Sequence, residues 1–170
     1  MEPAKLIIIR GNSGSGKSSI AKALRLKMVE AGVKVALVEQ DYIRRTMLKE
    51  KDMSDGDNID LIEQVVMFSL NRGYSVVLEG ILYFPNYGKM LKRLFDSCGS
   101  CHVYYLDVPF DETLRRHATK PNAHEFGEAE LRKWWHESDL THFPGEQLIP
   151  AGYCLEESVQ FLGREAGFPF

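Results

Sequence analysis

Aliphatic blocks alternate along the chain with stretches whose apolar residues recur every three or four positions. Residues 6–10, LIIIR, form the first block, too short and too β-rich for a helix, and read as a buried strand. Residues 17–31 carry Ile20, Leu24 and Met28 at four-residue spacing, with Ala23 and Ala31 beside them and Gly32 as a stop. That pattern predicts a helix. A second strand follows over 33–38, then a short helix over 42–49 and a polar loop over 50–58. Asn58 is a good N-cap for a helix over 59–71, whose face is Ile62, Val65, Val66 and Leu70. Residues 74–78 predict a third strand, and Met90, Leu91, Leu94 and Phe95 stripe a helix that stops near Gly99. A fourth strand over 102–108, helices over 111–118 and 128–137, a short fifth strand over 147–149 and a helix over 155–165 complete the pattern.

The strands are aliphatic without clean alternation, and helices separate them. This is the signature of a parallel sheet buried on both faces, hence a three-layer α/β fold with a central five-stranded parallel sheet. Ligands in such sheets bind beyond the carboxyl ends of the strands. Chemistry is therefore sought just after Arg10, Val38, Leu78 and Val108.

Length and charge narrow the reading. A chain of 170 residues suits one domain, taken here as 1–170. The net charge of −3 argues against nucleic acid or an anionic membrane as partner, since such binders carry a basic surplus. No apolar run reaches the length of a membrane span, and MEPAK lacks a signal-peptide apolar region, so a cytoplasmic location is expected. Three cysteines suit a reducing compartment, and the lone pair Cys98 and Cys101 reads as a loop at a helix end. The five histidines show no metal-ligand spacing.

Between the first strand and the first helix lies GNSGSGKSS. Gly11, Gly16, Lys17 and Ser18 satisfy G-x-x-x-x-G-K-[ST] in the required strand–loop–helix setting. Glycines there let backbone N–H groups close around phosphate oxygens at a helix N-terminus. The candidate nucleotide-binding stretch is Gly11, Asn12, Ser13, Gly14, Ser15, Gly16, Lys17, Ser18 and Ser19. Lys17 is placed to reach the β- and γ-phosphates, and Ser18 to ligate Mg²⁺. No N-K-x-D motif for guanine is present, which points to ATP.

The second strand runs into DYIRR. Asp41 offers a carboxylate to take the proton of an attacking hydroxyl, and Arg44, three residues on, shares its face if the segment is helical. An N-cap role for Asp41 and a solvated role for one of Arg44 and Arg45 are the plainer alternatives. The third strand ends VVLEG, where Glu79 is placed to serve Mg²⁺ through water or to orient the acceptor. After the fourth strand, DVPFDETLRRHATK supplies Arg115, Arg116 and Lys120 ahead of a polar stretch suited to a lid over about 116–130. Of the adjacent Trp134 and Trp135, one is expected in the core and the other at the acceptor pocket. Ile81, Leu82, Tyr83, Phe84 and Tyr87 would suit an acceptor with an apolar or ring face.

In order, GNSGSGKSS, DYIR, VVLEG and DVPFDETLRRHATK resemble the small P-loop kinases, the group of polynucleotide 5′-hydroxyl kinases, chloramphenicol phosphotransferase and zeta-toxin-like kinases. The resemblance implies a five-stranded parallel sheet with the P-loop strand central. It implies Asp41 as general base, Arg44 as an acceptor-binding residue, and Arg116 and Lys120 as lid cations. That group usually carries arginine at both lid positions; here the second is Lys120, a point charge rather than a fork. The function expected is ATP- and Mg²⁺-dependent transfer of the γ-phosphoryl group to a hydroxyl of a small molecule, with Asp41, Lys17 and Arg116 catalytic and Arg44 and Glu79 serving the acceptor. The alternatives are a nucleotide-binding ATPase or switch that transfers nothing, and a polynucleotide or nucleotide-sugar hydroxyl kinase. Acceptor identity and oligomeric state stay open at this level.

Overall fold

A computed structural model describes residues 3–119, 121 and 123–170. The elements run β1 (Leu6–Gly11), α1 (Lys17–Glu30), β2 (Val35–Glu39), a π-helical turn (Tyr42–Met47), α2 (Asp57–Asn71) and β3 (Ser75–Gly80). They continue α3 (Phe84–Ser97), β4 (Cys101–Leu106), α4 (Phe110–Ala118), α5 (Glu128–Trp134), β5 (Gln147–Ile149) and α6 (Leu155–Glu165). The five strands form one sheet in the order β2-β3-β1-β4-β5, all parallel, as the aliphatic pattern predicts.

β1 is central, and every residue of it is buried. Its side chains divide between two cores. Leu6 and Ile8 pack with Ile62 and Val66 of α2 and Met90, Leu91 and Leu94 of α3. Ile7 and Ile9 pack with Ile20, Leu24 and Met28 of α1 and Val159 and Leu162 of α6. Both faces need aliphatics, so no polar alternation survives in the sequence. Each such side chain contributes about 1.5–3 kcal/mol by leaving water. The register sets Ile9 beside Glu79 and Glu39 beside Glu79, so the functional ends of β1, β2 and β3 finish level.

Several boundaries differ from the sequence expectation. α2 begins at Asp57 with Gly56 as its N-cap, and Asn58 is a buried residue of the first turn instead. Glu50 does the capping from a distance: its Oε2 accepts from the Asn58 backbone N–H at 2.9 Å and from Asn58 Nδ2 at 3.0 Å. The helix after β2 is a π-helical turn ending at Met47. α5 stops at Trp134, with Trp135 already extended. β4 ends at Leu106 and leaves Asp107 and Val108 outside the sheet. Cys98 caps the end of α3 and Cys101 opens β4; both are free thiols, as is Cys154. No helix among the described residues is long and apolar enough to cross a membrane.

Candidate active site

The glycine run is a tight loop held by its own backbone. Ser15 N–H donates to the Asn12 carbonyl at 3.2 Å, and Lys17 Nζ donates to the same oxygen at 3.2 Å. Gly16 is the N-cap of α1 with φ of 103°, a left-handed conformation that a side chain disfavours. A Cβ at Gly14 would lie 2.7 Å from the Thr113 carbonyl, so glycine lets the loop touch α4. The first turn of α1 carries no acidic residue, which leaves its positive dipole end open to an anion.

Behind the loop, Ser18 Oγ donates to Glu79 Oε1 at 3.1 Å. Glu79 is buried, and its Oε2 has no hydrogen-bond partner. Burial pushes this carboxyl above the ordinary 4.5, with Lys17 pulling it back. A buried carboxylate oxygen without a partner beside a serine hydroxyl fits a hydrated divalent cation. Mg²⁺ keeps most of its ligands as water and phosphate oxygen and asks few from the protein. Among the described residues no group of three or more His, Cys, Asp or Glu forms a metal site, so any such ion would share its ligands with the bound phosphates.

Across the cleft, Asp41 does not cap the π-helical turn: no side-chain capping bond forms. Its Oδ1 instead accepts from Arg44 Nη2 at 2.8 Å and pairs with Arg45 Nε at 3.4 Å. Burial of its base would raise the carboxyl, but Arg45, the Arg44 hydrogen bond and Lys17 outweigh it and hold the group below the ordinary 3.8. Asp41 is thus a ready carboxylate at neutral pH. Arg44 is buried, and its Nη1 donates to the Glu50 carbonyl at 3.2 Å, whereas Arg45 is exposed.

These groups share a cleft of about 610 Å³. Ser13, Gly14, Lys17 and Ser18 line one side, and Asp41, Arg44, Arg45 and Glu50 to Asp52 another. Ile81, Tyr83 and Asn86, with Phe126, Lys133, Trp134 and His136, line the rest. Glu79 is not among the residues that line the cleft; it sits behind Ser18, which does line it and donates to it. Arg116 is not in the lining either. It grips the loop from outside, donating from Nη1 to the Ser15 carbonyl at 2.7 Å and from Nε to Glu112 at 2.6 Å. Arg115 is bound to Glu112 on the exposed surface. Lys120 lies outside the described residues.

Of the apolar residues expected at the acceptor, Ile81 and Tyr83 line the cleft, while Leu82 and Tyr87 are fully buried. Tyr87 is a strut: its hydroxyl accepts from Gln40 at 2.8 Å and reaches Asp52 at 2.7 Å and Asn58 at 3.0 Å. Trp134 takes the cleft position and Trp135 packs edge-on against Phe110.

Two residues of β1 and its loop have roles that sequence reasoning missed. Arg10, fully buried, donates to the Leu82 carbonyl at 2.9 Å and to Asp139 Oδ2 at 2.5 Å. Burial lowers its pKa, and Asp139 and Glu146 oppose that. Asn12 clasps the backbone of His136 both ways, donating to its carbonyl at 2.7 Å and accepting from its N–H at 2.8 Å. Together they fix the loops that carry Tyr83 and His136, whose rings stack at 3.8 Å between centroids and 13° between planes. A charged residue ending an aliphatic strand was the available signal for Arg10, the same signal that singled out Glu79.

A parallel sheet with a central strand feeding a phosphate-binding loop defines the P-loop NTPase class. Residues 6–137 match the family model described as AAA domain, and the chain belongs to that family. An adenylyl-sulfate kinase of Marinobacter nauticus is 30% identical over 109 residues, 62% of this chain and 54% of the relative. The chain thus spans about half the length of the curated relatives it matches. Among solved structures, the Mycobacterium tuberculosis APS kinase CysC in complex with AMPPNP and APS superposes with a TM-score of 0.76 at 20% identity, over 95% of this chain and 96% of that one. A gluconokinase from Sinorhizobium meliloti gives a TM-score of 0.65 at 19% identity, over 97% and 94% of the two chains. At these identities the structures establish the shared fold.

Proposed function

We propose that the protein is an ATP- and Mg²⁺-dependent kinase that phosphorylates a hydroxyl of a small molecule. One observation carries the reading: a carboxylate held ionised by two arginines, Asp41, lines the same cleft as the P-loop lysine, Lys17. Kinase names among the curated relatives support it. So does the resemblance of the ordered motifs to the polynucleotide kinase, chloramphenicol phosphotransferase and zeta-toxin-like group, although the matched relatives are adenylyl-sulfate kinases.

On this reading residues 1–170 act as one kinase unit with its lid at about 116–130. The backbone N–H groups of residues 13–18 and Lys17 hold the β- and γ-phosphates. Ser18 would hold Mg²⁺, with Glu79 behind it. The ion neutralises phosphate charge when bound. Arg44 orients Asp41 and presents a guanidinium to the acceptor. Asp41 takes the proton of the acceptor hydroxyl while its oxygen bonds to the γ-phosphorus, and the bond to the ADP oxygen breaks with its electron pair. Arg116 braces the loop through Ser15 and stands ready at the phosphates. A cytoplasmic setting suits both ATP supply and three free thiols.

A switch would need no proton acceptor in the cleft, whereas a hydrolase would use one on water and release inorganic phosphate. The test is transfer of label from γ-³²P-ATP with Mg²⁺ to a pooled set of hydroxyl compounds, with Lys17→Ala as control. Labelled organic product made by the wild type alone supports the kinase. Label released only as inorganic phosphate overturns it.

A further inference from the structure

The cleft says something about the acceptor's own chemistry, given the kinase reading above. Five cationic side chains line it: Lys17, Arg44, Arg45, Lys51 and Lys133. Three carboxylates do so as well: Asp41, Glu50 and Asp52. The carboxylates are already engaged. Asp41 is bound by Arg44 and Arg45, Glu50 caps α2 through Asn58, and Asp52 accepts from Tyr87. Lys17 belongs to the nucleotide phosphates. Among the described residues Lys51 forms no ion pair, and Lys133 feels only the more distant Glu130, whose carboxylate already accepts from the Gly127 N–H, so two ammonium groups from separate segments reach the cleft.

A second observation points the same way. Arg44 is nine-tenths buried, and its Nε has no hydrogen-bond partner. An orphaned donor on a buried guanidinium costs free energy unless an acceptor arrives. An incoming anion supplies one, and arginine's fork suits the oxygens of phosphate, sulfate or carboxylate. A neutral sugar offers weaker acceptors and leaves the Arg44 donor and the Lys51 ammonium without a charged partner.

The remaining wall is largely aromatic. Tyr83 and His136 stack nearly parallel, and Trp134 stands edge-on to Phe126 at 5.2 Å between centroids and 63°. All four line the cleft. The Asn12 clasp on His136 holds its backbone in place, so the platform is preformed. Such surfaces bind flat rings by stacking and hydrophobic contact.

We propose that the acceptor joins an anionic group to a planar ring, in the manner of a nucleoside monophosphate, with Arg44, Lys51 and Lys133 receiving the anion and the Tyr83–His136 and Trp134 wall receiving the ring. A ligand with only one of the two features uses half the site.

Calorimetric titration tests this with the P-loop already filled. The full chain is first saturated with AMPPNP and Mg²⁺, then titrated separately with AMP, UMP, adenosine, uridine and inorganic phosphate. AMP or UMP is expected to bind at least about tenfold tighter than its nucleoside and than phosphate, as a charge-assisted hydrogen bond of about 1.5–3 kcal/mol requires. The Lys51→Ala/Lys133→Ala variant, altered only at exposed positions, is expected to lose about tenfold of that affinity while AMPPNP binding holds. Nucleosides binding as well as nucleotides would overturn the proposal, as would no binding by either nucleotide to the loaded protein. Both results leave the kinase reading standing. Failure of AMPPNP itself to bind would instead remove the nucleotide site, and this inference with it.

Discussion

Residues 11–18 build the glycine-loop half of the cleft, proposed to hold phosphate, from one unbroken run, whereas the opposite half gathers side chains from far apart. Asp41 and Arg44 come from the turn after β2, Tyr83 from the loop after β3, and Trp134 and His136 from the end of α5. On the proposed reading the first half works mainly through backbone N–H groups, so its chemistry depends on glycine positions and on the start of α1. The second works through side chains whose neighbours exist only once the sheet has formed. A local motif can be read from spacing; an assembled wall cannot. Phosphate is also the same in every nucleotide, while acceptors differ, so a fixed loop facing an adjustable wall is a sensible division.

Substitutions on the two sides should separate cleanly. Lys17→Ala is expected to abolish transfer, by about 10²- to 10³-fold or more, because it removes the cation aimed at developing phosphate charge. Among the described residues the Lys17 ammonium makes one hydrogen bond, 3.2 Å to the Asn12 carbonyl, besides its charge interactions with Glu79 and Asp41, so the melting temperature should stay near that of the wild type. Steady-state kinetics with a thermal melt checks both.

Asp41→Asn is expected to lower kcat by about 10²- to 10⁴-fold, the range of general-base catalysis. Asn keeps a hydrogen bond to Arg44 but accepts no proton. The carboxylate is half exposed, so its ion pairs add at most about 1 kcal/mol and the fold should survive. Turnover close to wild type would take Asp41 out of the mechanism.

Asn12→Ala probes the tie between the halves. It removes both bonds to the His136 backbone, which should raise the acceptor KM by about tenfold, a loss of about 1–2 kcal/mol. The ATP KM should move by no more than about twofold, because the Asn12 carbonyl that steadies Lys17 remains. A change confined to the ATP KM would mean that Asn12 serves the nucleotide, as its place in the motif suggests.

The smallest expected effect concerns Glu79. Its folded-state pKa lies above the ordinary 4.5, so its contribution to stability is full below that pH and is lost as pH rises through the folded value. Glu79→Gln has no such titration. Its melting temperature at neutral pH should equal or exceed that of the wild type, by a few degrees at most, about 1 kcal/mol, while the Mg²⁺ needed for half-maximal activity should rise. A melting series across pH 4 to 8 on both proteins, roughly spanning that titration, reads the sign.

The sheet was legible because burial on both faces forces long aliphatic runs, and the P-loop because its geometry demands particular residues in fixed order. Asp41, Arg44 and Trp134 could be found as chemistry-bearing residues near a strand or helix end. Their contacts could not. Nothing in the spacing of Asn12 and His136, or of Arg10 and Asp139, tells that they meet across the molecule. Asn58 shows the opposite failure. Its residue type fits an N-cap, but its contacts with Tyr87 and Glu50 hold it two residues inside the N-cap, in the first turn. Glu79 was noticed as a charge in an apolar strand, yet only the Ser18 contact tells which side of the loop it faces.

The division of labour between the halves has one direct test. AMPPNP with Mg²⁺ is titrated calorimetrically into the wild type, Lys17→Ala and Asp41→Asn. Lys17→Ala should weaken binding by about tenfold or more, the loss of a charge-assisted contact. Asp41→Asn should bind within about twofold of the wild type, since the proposal has its side chain serve the acceptor. Equal weakening in both variants, or unweakened binding in Lys17→Ala, would contradict the account.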